Sequence, residues 1–139
     1  MNKFEPLKIA LDYDDTFTAD KSMWANIVLF MKANGCDVRF VTFRHEHPST
    51  FSNEDILQDS DKLSIPIIFC EGVPKKTVTS QRMFHPDIWI DDCPELIPTE
   101  DELSNTLLHI NRRNRVEIAP QNEQQISTGY SEETLIIPR

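Results

Sequence analysis

Four short apolar runs, each stopping at residues able to do chemistry, constrain this chain more than any other feature. Leu7-Lys8-Ile9-Ala10-Leu11 stops at Asp12-Tyr13-Asp14-Asp15-Thr16, and Val38-Arg39-Phe40-Val41 runs into Thr42-Phe43-Arg44. Ile65-Pro66-Ile67-Ile68-Phe69-Cys70 is followed by Gly72, Pro74 and the pair Lys75-Lys76, and Ile88-Trp89-Ile90 ends in Asp91-Asp92. Short continuous apolar runs bounded by turn residues read as strands buried on both faces, the mark of a parallel sheet.

The intervals between the runs carry helix signals. Ser22 is expected to cap a helix bearing Trp24, Ile27, Val28 and Met31 at the 3.6-residue period, with Gly35 at its stop. Ser52 or Asn53 is expected to cap a second helix with Ile56, Leu57 and Leu63. Lys75-Lys76 open a third, and Thr99 with Glu102 fits a capping box for a fourth, with Leu103, Leu107 and Ile110 on one face and Arg112-Arg113 at its negative end. Strand and helix therefore alternate, so the expected class is α/β with a mainly parallel sheet of four to five strands, Val116-Glu117-Ile118 being the fifth. Right-handed crossovers bring all the strand exits to one edge of such a sheet. Residues 1–119 are expected to form this domain, and the polar stretch 120–139 a tail or docking arm.

The exits offer, in order, carboxylates, a hydroxyl with a guanidinium, an ammonium, and carboxylates again. Carboxylates held there can bind a hard cation such as Mg²⁺ and can attack phosphorus, while Lys and Arg neutralise a phosphate. One ion needs only one or two carboxylates besides phosphate oxygens and water. Asp12 to Thr16 taken alone reads equally well as an acidic turn capping the next helix.

All four exits together resemble the motifs of the haloacid dehalogenase-like (HAD) superfamily, over roughly residues 7–98, and specifically its Mg²⁺-dependent phosphohydrolases. Asp12, Asp14 and Thr16 match Asp-x-Asp-x-Thr; Thr42 stands at the second motif, Lys75 or Lys76 at the third, and Asp91-Asp92 at the fourth. The resemblance implies a three-layer Rossmann-like domain and a phosphatase that passes through an aspartyl-phosphate. Asp12 would be the nucleophile, and Asp14 the acid and then the base. It implies Mg²⁺ between the Asp12 carboxylate, the Asp14 main-chain carbonyl and Asp91, with Asp92 acting through water, and phosphate contacts from Thr42 and a lysine. Asp14 argues against halide chemistry, since the family's dehalogenases lack this second acid. Asp15 stands where many relatives have Gly, a position Asp tolerates. Lys75, Lys76 and Arg82 compete for the basic role, with Lys75 preferred.

Many relatives insert a cap domain that closes over a small substrate. Residues 17–37 hold one turn and one helix, and residues 43–64 a loop and one short helix, so no cap is expected. An open site suits a phosphate at the end of a macromolecule, and an oligomeric partner or the loop Arg44-His45-Glu46-His47-Pro48 could enclose a small one. Arg44 follows Thr42 by two residues and is expected to fork onto the phosphate.

A net charge of −9 over 139 residues argues against general nucleic-acid binding, which rests on neutralising phosphates with Lys and Arg. Cys36, Cys70 and Cys93 form no C-x-x-C pair and suit a reducing cytoplasm. No apolar stretch approaches the ~20 residues of a membrane span. His45 and His47, with Glu46 between them, read as loop residues rather than a transition-metal site, His85 as a turn residue, and Trp24 and Trp89 as core. Two other classes fit parts of the pattern. A phosphoacceptor receiver uses acids, a hydroxyl and a lysine around Mg²⁺, but its acidic pair opens the domain. An idle HAD-like binding module would have no need of both Asp12 and Asp14.

Overall fold

The computed structural model describes residues 5–111. Four strands, β1 (Lys8–Leu11), β2 (Asp37–Thr42), β3 (Ile67–Phe69) and β4 (Ile88–Ile90), form one sheet in the order β3-β2-β1-β4. Every pairing is parallel, with Ile9 opposite both Val38 and Ile88 and Val41 opposite Ile68. Helices α1 (Lys21–Ala33), α2 (Glu54–Leu63) and α3 (Lys75–Gln81) connect successive strands, and a fourth, α4, covers residues 100–111. This is the arrangement of a Rossmann-like α/β fold. Among the described residues, those up to Glu100 form one compact unit, and those from Asp101 onward belong to a second. Arg112-Arg113, the expected strand at Val116 and the tail from residue 120 lie outside the described residues.

Side-chain alternation along the strands builds a core on each face of the sheet. Ile9, Leu11, Val38 and Phe40 pack with Val28 of α1 and with Ile56 and Leu63 of α2. Ala10, Val41 and Ile68 pack on the other face with Val78 of α3 and Phe84. Trp24 and Trp89 lie partly buried against these two cores, in keeping with their expected structural role.

The ends of α1 show one correction and one agreement. Asp20, not Ser22, caps the helix, its Oδ1 accepting from the Met23 amide at 3.1 Å. The 3₁₀ turn Phe17–Ala19 runs directly into the helix, so the cap falls two residues earlier. Gly35 does end α1: its φ of 87° lets its amide reach Lys32 O at 2.9 Å while Cys36 N reaches Met31 O at 3.0 Å. Lys32 Nζ then bonds the carbonyls of Leu63 and Ser64 at 2.6 and 2.8 Å, tying the end of α1 to that of α2.

β3 is shorter than the apolar run that announces it. Ile65 N is spent on Ser60 O, closing α2 around Ser64 in the left-handed region, and Pro66 has no amide to donate, so the strand begins at Ile67.

Candidate active site

Reversal of strand order opens a crevice beside β1, because the chain steps outward through β2 and β3 and then returns to place β4 on the other side. The Asp12 amide donates to Ile90 O at 2.9 Å, so the residues leaving β1 and β4 emerge side by side. Carboxylate oxygens of Asp12, Asp91 and Asp92 lie within 4.8 Å of one another.

Lys75 joins this group from the first turn of α3. Its ammonium is 2.7 Å from Asp12 Oδ1 and 2.6 Å from Asp91 Oδ2, and the residue is 1 % exposed. Lys76, one position along the same helix, is exposed, and its backbone amide donates to Ile97 O. Arg82 sits beyond the far end of α3, whereas the Lys75 ammonium lies directly between Asp12 and Asp91. Burial alone would drive the Lys75 ammonium towards its neutral form, but the two carboxylates outweigh it and hold the residue above its ordinary value. Burial pushes the Asp12 carboxyl up to about 6, against the pull of Lys75.

Thr16 knits the acids together. Its hydroxyl lies 3.0 Å from Asp12 Oδ2 and 3.1 Å from Asp92 Oδ1, and accepts the Asp92 amide at 3.1 Å. Asp91 Oδ1 accepts the Cys93 amide at 2.9 Å. Asp15 takes a left-handed backbone conformation, with φ 64°, which Asp tolerates better than most residues. Thr42, 1 % exposed at the exit of β2, accepts the Arg44 amide at 3.2 Å and keeps its own proton to donate.

The all-oxygen donor set of Asp12, Asp91 and Asp92 suits a hard cation. Three carboxylates and one ammonium leave two net negative charges, which a single divalent ion would balance.

Asp14 stands apart from this cluster, and Arg44 holds it. Arg44 Nε donates to Asp14 Oδ2 at 2.9 Å and Nη2 to Asp14 Oδ1 at 2.7 Å. The same guanidinium bonds both oxygens of Asp55 at 2.8 and 3.1 Å, and Asn53 Oδ1 at 3.3 Å. A guanidinium has five N–H donors, and here all five point to protein acceptors. The expected fork of Arg44 onto a phosphate therefore corresponds, in this structure, to a fork onto two carboxylates. Those carboxylates, Asp14 first, hold Arg44 well above its ordinary value, and Arg44 in turn lowers Asp55.

Three polar residues of this neighbourhood were not foreseen as parts of it. Asn53, buried at the start of α2, turns its amide back to the carbonyls of His45 and Glu46 at 2.8 and 3.1 Å, while Ser52 Oγ takes the Glu54 amide at 3.0 Å. Asp59 accepts the buried Tyr13 hydroxyl at 2.5 Å and pairs with Lys21 at 2.9 Å. Asp59 thus grips the Asp12–Asp14 segment directly at Tyr13, and Asp55, four residues earlier on α2, does so through Arg44; that i, i+4 spacing was the signal available in the sequence. Beyond Asn53 the loop and α2 flank an open groove of about 620 Å³, lined by His47, Phe51 and Leu57 among others.

Comparison of the chain with protein-family models, curated proteins and solved structures finds no match. Among the described residues no helix is long and apolar enough to cross a membrane.

Proposed function

We propose that this chain is a HAD-like, Mg²⁺-dependent phosphohydrolase without a cap domain, acting on a phosphate monoester through an aspartyl-phosphate. The observation that carries the reading is the meeting of Asp12, Asp91 and Asp92 from two neighbouring strand exits, with the Lys75 ammonium between Asp12 and Asp91. Asp12, Asp91 and Asp92 would hold Mg²⁺, with the Asp14 main-chain carbonyl as a further oxygen ligand. The bound ion would supply positive charge beside the reacting phosphate.

Asp12 attacks phosphorus, and the leaving oxygen takes a proton from Asp14. Asp14 then accepts a proton from the water that cleaves the acyl phosphate. Lys75 holds the nucleophile in place and offsets negative charge that would otherwise repel the phosphate. Thr42 donates its hydroxyl to a phosphate oxygen. α1 and α2 fill the intervals where relatives carry caps, which favours an exposed phosphate such as one at a macromolecular end. Three free cysteines fit a reducing cytoplasm.

Turnover of 4-nitrophenyl phosphate with and without Mg²⁺, beside Asp12→Asn and Asp14→Asn, tests the proposal. The expected result is Mg²⁺-dependent hydrolysis lost in Asp12→Asn. Activity surviving that substitution would remove the nucleophile. A phosphorylated parent protein persisting for minutes would favour the phosphoacceptor switch.

A further inference from the structure

We infer that Asp55 is a positioning residue that aims Asp14 through Arg44, and that Arg44 serves the acid rather than the phosphate. This role rests on the phosphohydrolase reading above. Asp14 has a side chain 49 % exposed, and Arg44 donates to both of its carboxylate oxygens, so its direction is set by that guanidinium. Arg44 is itself fixed on the far side: Asp55 takes two of its donors, Asn53 takes one, and the buried Tyr13 ring lies 5.2 Å from its central carbon.

Asp55 and Asn53 belong to the N-terminal end of α2, a rigid element anchored by buried Ile56 and Leu63. A half-exposed carboxylate is thereby referenced to the core through one planar group. Arg suits this role because its fork bonds two carboxylates at once, which a lysine ammonium cannot do with the same geometry. With every donor occupied, a phosphate could bind Arg44 only by breaking one of these bonds. Phosphate recognition therefore falls to Thr42 and Lys75.

Two substrates separate the roles. An aryl phosphate such as 4-nitrophenyl phosphate leaves with little help, whereas an alkyl phosphate such as glycerol phosphate needs its leaving oxygen protonated. General acid assistance contributes about 10²–10⁴ in rate, so Asp55→Asn is expected to lower kcat for the alkyl ester about tenfold or more and for the aryl ester much less. KM for both esters and Kd for inorganic phosphate should stay within about twofold of the parent. Asp55→Glu should recover part of the alkyl rate. A uniform rise in KM and phosphate Kd would make Arg44 a phosphate ligand and overturn the inference.

A second readout is independent of turnover and of gross folding, which circular dichroism checks. The Arg44 Nε–H proton, observed by NMR, should exchange slowly in the parent and faster in both Asp55→Asn and Asp14→Asn; exchange unchanged in Asp55→Asn overturns the role. A parent that hydrolyses neither ester in Mg²⁺ sinks the phosphohydrolase reading and this role with it. Turnover abolished by Asp12→Asn but untouched by Asp55→Asn, for both esters, sinks this role alone.

Discussion

The ammonium of Lys75 lies 2.7 Å from the carboxylate of Asp12, and both residues are almost wholly shielded from water. Taking one partner from such a pair leaves a charge buried without compensation. Lys75→Met is therefore expected to destabilise the fold by about 3–5 kcal/mol at neutral pH without Mg²⁺, since Asp12 and Asp91 would be left facing each other. Excess Mg²⁺ should shrink that loss by taking over the neutralisation. Urea unfolding of parent and variant, each with and without the ion, measures both effects.

Acidity should work against the metal. The Asp12 carboxyl is pushed up to about 6 from 3.8, chiefly by burial. Between those pH values the folded chain keeps a proton that the unfolded chain has released, so this group favours folding at low pH. Its contribution falls as pH rises through about 6, by at most about 3 kcal/mol. The ion needs the ionised form and competes with that proton. Mg²⁺ should raise the thermal midpoint clearly at pH 7.5 and progressively less below about pH 6, whereas Asp12→Asn should lose the pH dependence. A Mg²⁺ effect independent of pH would contradict the assignment.

Tyr13 links the motif loop to α2 through its hydroxyl, 2.5 Å from Asp59. Its ring stays packed between Phe17 and Phe40 without that oxygen. Tyr13→Phe should cost roughly 1–3 kcal/mol, because Asp59 loses a charge-assisted bond while keeping Lys21. An unchanged denaturation midpoint would show that the bond adds nothing.

Cys70 should behave differently from an ordinary thiol. Burial pushes it up to about 12, and it is 1 % exposed at the end of β3. An aromatic disulfide reagent at pH 8 should leave it unmodified in the folded protein and label it after urea unfolding. Mass spectrometry of the labelled peptides distinguishes it from Cys36 and Cys93.

The exits of all four strands were legible in the sequence because an apolar run and the polar residue that stops it are neighbours in the chain. Asp12, Thr42 and Asp91 were visible for that reason, and Lys75 as the opening of the helix that follows β3. The choice between Lys75 and Lys76 was open because adjacent helical residues differ only in direction, which the packing of α3 decides. Asn53, Asp55 and Asp59 were hidden differently: acidic and amide residues at a helix start look like capping and solubilising groups. Their partners, Arg44 and Tyr13, are distant in sequence. The 3₁₀ turn that moved the cap from Ser22 to Asp20 had no strong signal, since both residue types cap well.

Strand order also bears on biosynthesis. Of the described strands β1 is made first and its neighbour β4 last, so a chain emerging from the ribosome carries Asp12 long before Lys75 and Asp91 exist to meet it. A fragment ending before Asp91 would lack two of the three carboxylates of the cluster. These carboxylates are gathered only once β4 has joined β1, so under the proposed reading catalytic competence would report the pairing of those two strands.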